Sequence, residues 1–266
     1  MQKKLIILIL AFLAGAAFGA NTARENLLRD SFVLAGIDGR LVVSDDSDRW
    51  VFQPDSDVSD DVGLVKAGSD IELLRSSTLE KIVTDAKRRS SEYYRLWGRV
   101  TRYQSRNFMF PIYFLPISRI EQPRSGTSEQ PRLPDSKLII NEPNDALVIP
   151  QEIVAKLKTR KIVRVEQLEE GIELKADSIL AERTGFVVKQ ADDKVVFAVD
   201  ALGRSFQKIC FPLLPCQVLE KAEETQSAEP DPLRFRISGI LTRYKNENYL
   251  LLQRATPVYS HGNLGR

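Results

Sequence analysis

The chain has 266 residues, about 43% of them apolar, which is enough for one large or two small hydrophobic cores. It carries 38 Lys+Arg against 36 Asp+Glu; the two lysines of the first twenty residues account for the excess, so the remainder is formally neutral. That balance argues against binding driven by phosphate contacts, and the single histidine, His261, stands alone in the C-terminal tail, which argues against a His-centred triad.

The N-terminus, MQKKLIILILAFLAGAAFGA, is basic at Lys3 and Lys4 and then apolar or small from Leu5 to Ala20. Those 16 residues fall short of the roughly 20 that a bilayer core requires. Ala17 and Gly19 stand in the A-x-A-like arrangement that a signal peptidase reads. The expectation is a cleaved signal peptide over 1–20, with an uncleaved N-terminal anchor as the alternative. Either way the bulk of the chain is placed outside the cytoplasm, periplasmic or secreted.

Strand-like runs follow at 32–43, Arg49–Gln53 and Asp70–Leu74. SSTLEKIVTDAK then reads as a helix: Ser77 with Glu80 has the form of a capping box, and Leu79, Ile82, Val83 and Ala86 make one apolar face. Two strands, Tyr94–Tyr103 and Asn107–Leu115, finish the unit through a short polar turn.

The acidic run DSDVSDD at 55–61 sits inside this unit. Asp55, Asp57 and Ser59 alternate as in a calcium loop, but Asp60 replaces the required glycine and Lys66 the final glutamate, so a solvated acidic loop is favoured.

Glu121–Ser136 is rich in Pro, Ser and charge and reads as a flexible linker. Beyond it a helix is expected from Pro150, with Ile153, Val154 and Leu157 on one face. The basic run KLKTRKIVR, Lys156–Arg164, reads as an ordinary solvated face. Strands at Thr184–Lys189, Val195–Asp200 and Gln207–Leu213, a helix opening near Pro215, and strands at Leu233–Tyr244 and Asn248–Arg254 complete the chain. Cys210 and Cys216 read as two buried small apolar side chains rather than a disulfide.

The second set of elements echoes the first in its letters. GRVTRYQSRNF (Gly98–Phe108) and GILTRYKNENY (Gly239–Tyr249) share five of eleven residues; LLRSSTLEK (Leu73–Lys81) and LLPCQVLEK (Leu213–Lys221) share five of nine. DRWVFQPD (Asp48–Asp55) resembles DKVVFAVD (Asp193–Asp200). The offsets are 141, 140 and 145, so the chain reads as two copies of one unit.

Three strands, a helix and a closing hairpin form the order of an OB-fold barrel. The chain resembles uncharacterised exported bacterial proteins with tandem OB-fold-like repeats that carry paired G-x-V-T-x-Y-x-x-x-N-[FY] segments. That resemblance implies a mainly β protein of two five-stranded OB-like barrels, each with one helix, plus a small helical insert. The expected boundaries are barrel 1 at 30–118, linker and insert at 119–179, barrel 2 at 180–258 and a loose tail at 259–266.

The repeated phrase is expected at the turn between the last two strands. A binding reading makes Arg102, Tyr103, Asn107 and Phe108, with Arg243, Tyr244, Asn248 and Tyr249, two matched contact patches, because arginine beside aromatics grips bases or sugars. A folding reading competes: Gly98 and Gly239 bend a strand, and Asn107 and Asn248 suit a tight turn.

No G-x-S-x-G, P-loop or G-x-G-x-x-G occurs, and no cofactor or metal site is expected. The sequence thus points to a non-enzymatic protein of the bacterial cell envelope that binds or scaffolds an envelope protein, glycan or membrane-associated partner. It would touch the membrane itself only through an uncleaved N-terminus. Single-stranded nucleic-acid binding is the alternative.

Overall fold

The computed structural model describes residues 27–43, 49–89, 92–117, 162–163, 177–191, 194–200 and 209–258. The expected signal segment, the Pro/Ser-rich linker, the helix from Pro150 and the tail with His261 lie outside the described residues.

Lobe 1 contains β1 (Val33–Val43), β2 (Trp50–Pro54), a small hairpin β3 (Val58–Ser59) and β4 (Leu64–Val65), β5 (Ile71–Leu73), helix α1 (Ser77–Arg89), β6 (Tyr93–Tyr103) and β7 (Arg106–Pro116). Its five main strands close into a barrel in the order β1-β2-β5-β7-β6. All contacts are antiparallel except β5 against β7, which is parallel. Lobe 2 contains β8 (Ile162–Val163), β9 (Ser178–Lys189), β10 (Val195–Val199), β11 (Cys210–Pro212), helix α2 (Gln217–Ser227), β12 (Arg234–Tyr244) and β13 (Glu247–Val258). Its sheet order, β11-β10-β9-β12-β13, is that of lobe 1 with the ring left open.

The protein is therefore mainly β with two helices among the described residues, and one closed barrel rather than the two expected. The difference has a local cause. In lobe 1 the parallel seam pairs Glu72 with Phe108 and Leu73 with Met109. In lobe 2 the place of Glu72 is taken by Pro212, which has no N–H to give a ladder. Only a single bridge, Leu213 to Leu250, survives there. Leu214 N donates to Leu250 O at 2.9 Å, as Leu74 N donates to Met109 O at 2.8 Å.

Of the expected insert's central part only two residues are described, and they lie beyond the expected helix. Ile162–Val163 form β8, parallel to Ile179–Leu180 of β9, as β-branched residues beside a bent strand readily do.

Equivalent residues meet equivalent needs in the two lobes. A Cβ on Gly39 would lie 2.3 Å from Gln53 O and 2.5 Å from the Phe52 ring; on Gly185 it would lie 2.2 Å from Ala198 O and 2.7 Å from the Phe197 ring. Each glycine thus leaves room for a fully buried phenylalanine on the next strand. The β6–β7 and β12–β13 registers both slip at the repeated glycine, between Trp97 and Gly98 and between Ser238 and Gly239, as a bend there requires.

On α1, Leu79, Ile82 and Val83 are buried, so the apolar face packs inward. Ser76 rather than Ser77 caps the helix, its Oγ accepting from Leu79 N at 3.1 Å. Helix α2 opens near Pro215, with Cys216 at its cap position.

Candidate functional site

The repeated phrases occupy the last two strands of each lobe and the turn between them. The turns themselves are Gln104–Ser105 and Lys245–Asn246, all four residues left-handed, with φ of 47°, 58°, 48° and 67°. Two left-handed central residues define the hairpin turn whose twist matches paired strands. Asn107 and Asn248 are therefore not turn residues; they stand in the ladder opposite Arg102 and Arg243. The Asn107 amide clamps the chain ahead of β1: Leu28 N donates to its Oδ1 and its Nδ2 donates to Leu28 O, both at 3.0 Å. That holds Leu28 in the core, fully buried.

Above the turns, each hairpin packs against the helix of the opposite lobe. Thr101 Oγ1 donates to the carbonyl of Pro215, just before α2, at 2.9 Å. Its counterpart Thr242 accepts from Ser77 N, the first residue of α1, at 3.0 Å. Both threonines are buried.

Each contact is completed by an aspartate that precedes a long strand, Asp30 before β1 and Asp177 before β9. Asp30 Oδ1 accepts from Arg102 N at 2.9 Å and from Gln217 N, the first residue of α2, at 3.4 Å. Asp177 Oδ1 accepts from Thr242 Oγ1 at 2.7 Å and from Ser77 Oγ at 2.8 Å. A carboxylate at a helix N-terminus meets unpaired N–H groups and the positive end of the dipole. Here lobe 1 supplies Asp30 to a backbone N–H of α2, and lobe 2 supplies Asp177 to the Ser77 hydroxyl at the start of α1.

The sequence signal for this pair is only Asp30-Ser31 echoed by Asp177-Ser178, too short to stand out unaided.

Of the eight expected contact residues, the aromatics largely serve this packing. Phe108, Tyr244 and Tyr249 are buried. Tyr103 OH donates to Glu223 Oε2 on α2 at 2.8 Å; burial first, then Glu223, raises its phenol above the ordinary value. Tyr249 OH donates to Glu247, and burial followed by that bond pushes its pKa up to about 12.

The arginines face outward into two matched grooves. Arg102 lines one of about 320 Å³ with Glu220, Lys221 and Glu224 of α2. Arg243 lines another of about 580 Å³ with Glu80, Lys81 and Asp85 of α1. The two phrases that recur in the sequence, T-R-Y and L-E-K, thus face each other twice across the lobes.

Between the lobes lies a third cavity of about 250 Å³, floored by Leu73, Leu74, Leu213 and Leu214 and carrying Arg49, Arg75 and Lys194. Leu73 and Leu74 match Leu213 and Leu214 in the repeat, so the cavity lies between equivalent segments.

The other sequence candidates are structural. Asp60 is not solvated: it is buried and accepts from Arg29 N at 2.6 Å, Gly63 N at 2.6 Å and Val62 N at 3.1 Å, with the Arg29 guanidinium at 3.0 Å. Burial opposes its charge, but these bonds outweigh it and hold the carboxyl well below the usual carboxylate range. Asp55 and Asp57 are exposed.

Cys216 is buried, and burial pushes its thiol up to about 12; Cys210, expected inside, is exposed because β11 presents alternate faces. No group of three or more His, Cys, Asp or Glu able to hold a metal occurs among the described residues, and no described helix is long and apolar enough to cross a membrane.

Compared with protein-family models, curated proteins and solved structures, the chain matches none.

Proposed function

We propose that this is an exported, non-enzymatic protein of the bacterial cell envelope, in which two OB-like units lock together and bind or scaffold an envelope protein, glycan or membrane-associated partner. The observation that carries the reading is the reciprocal contact of the repeated phrases: Thr101 at Pro215, Thr242 at Ser77, with Asp30 and Asp177 completing each. Such a contact fixes two arginine-bearing grooves in one body, a geometry suited to holding a partner at two matched points. The strand order, with its parallel third-to-fifth contact and the helix between strands three and four, supports an OB-like assignment for both units, with the ring of the second interrupted at Pro212.

Single-stranded nucleic-acid binding is less well supported. The outward positions of β2 and β5 are Val51, Gln53 and Glu72, which supply no basic track for a phosphate backbone.

The test is the double variant Arg102→Ala with Arg243→Ala, used as bait in envelope extracts. Expected is loss of partner capture with an unchanged melting temperature; capture that persists defeats the reading. N-terminal sequencing of host material should begin near Ala20 or Asn21, and a start at Met1 would favour the anchored form.

A further inference from the structure

We infer that the cavity between the lobes takes a free fatty acid of short to medium chain, its carboxylate at the basic rim and its acyl chain on the leucine floor. The inference deepens the binding reading at a surface separate from the two arginine grooves.

Charge comes first. Among the described residues of the lining, Arg49 and Arg75 stand beside one acid, Glu72, and Glu72 already receives Arg106 at 3.5 Å. Arg75 is held in place, its guanidinium 5.5 Å from the Tyr249 ring centroid and its Nη1 3.4 Å from the hydroxyl. Arg49 is exposed and contributes a cation at the mouth. The site therefore suits an anion.

The floor then selects the rest of the ligand. Leu74 N, Leu213 N and Leu214 N are already paired within the sheets, and Pro212 and Pro215 have no N–H. The walls accordingly have little backbone hydrogen bonding left for a peptide main chain. The hydroxyls of Tyr103 and Tyr249 are committed to Glu223 and Glu247, which leaves few partners for the many hydroxyls of a glycan.

An apolar surface beneath a cationic rim, poor in spare donors, matches an acyl chain with one anionic head. The volume of about 250 Å³ lies just under the roughly 300–1,000 Å³ of drug-sized sites, which sets the chain length as short to medium.

The experiment is calorimetric titration of the full chain with butanoate, hexanoate and octanoate below their micellar concentrations, with 1-octanol as the neutral-headed control. Expected is saturable one-to-one binding of octanoate that tightens roughly fourfold per added methylene until the floor is covered. Octanol should bind at least about tenfold more weakly, and Arg49→Gln should weaken octanoate about tenfold while the melting temperature holds.

Octanol binding as tightly as octanoate, or octanoate binding unaffected by Arg49→Gln, overturns the inference. So does association with anionic phospholipid vesicles in the absence of any octanoate binding. Failure here with arginine-dependent capture intact removes only this ligand, not the partner-binding reading.

Discussion

Lobes 1 and 2 repeat one order of strands and helix, yet only lobe 1 closes its barrel, and three matched positions and one unmatched hairpin set them apart. Glu72 becomes Pro212 at the seam, and Ser76 becomes Cys216 at the helix cap. Gly36, left-handed at φ 78° beneath Trp97, becomes Glu182 at φ 50° beside Ser238. Asp60 and its pinned hairpin have no counterpart among the described residues of lobe 2. What both lobes keep is the glycine–phenylalanine fit and the contact surface between them. The comparison teaches that the interface and the inner packing set tighter limits than barrel closure does.

The largest effect should come from filling the shared glycine sites. Gly39→Ala and Gly185→Ala each drive a methyl into a backbone carbonyl and should lower stability by about 3 kcal/mol in urea unfolding. Equal losses support equal rigidity in the two lobes; a clearly smaller loss at Gly185 would show the open sheet yielding.

Asp60→Asn comes next, at about 2 kcal/mol near neutral pH, because a neutral amide pairs less well with the groups around Arg29 and Gly63. The wild-type carboxyl is held low in the folded state, so its contribution is complete above the ordinary carboxylate pKa of about 4 and fades as pH falls below it. Denaturation followed between neutral and strongly acid pH should show a shallower acid loss in the variant; an unchanged slope would contradict the burial of this charge.

Ser76→Ala should remove a cap at about 1 kcal/mol, whereas Cys216→Ser, at a cap position whose own side chain makes no capping bond, should be neutral or gain a few tenths. Thermal melts decide between them. The smallest global effect is expected from Pro212→Glu, which restores an N–H at the seam. Amide hydrogen exchange should slow near Tyr249 and Leu250, and unaltered exchange would mean that the opening has another cause.

Much of this comparison was legible in the letters. The offset echoes located both hairpins, Gly98 and Gly239 marked the bends, and the Leu79–Ile82–Val83 spacing identified the buried face of α1. Other features were hidden because they depend on distance in space. Asp30 reaches Gln217 across 187 positions and Asp177 reaches Ser77 across 100, and no periodicity announces such pairs.

Ser77 satisfied the capping-box pattern, but Ser76 lies one residue earlier with its oxygen aimed at Leu79 N. Asn107 fits a turn by composition; its amide instead matches the donor and acceptor of one peptide unit at Leu28. The grooves are not legible in the letters, because T-R-Y and L-E-K stand in one repeat while each meets the other's twin across the lobes.

The exchanged aspartates have a consequence for how the molecule comes into being. When only the first 120 or so residues have been made, α1 still lacks Asp177, and Asp30 holds Arg102 without its second donor. A nascent first lobe is thus an unfinished half whose last fittings arrive with the end of the chain. Synthesis order therefore makes the C-terminal half a built-in assembly partner for the N-terminal one.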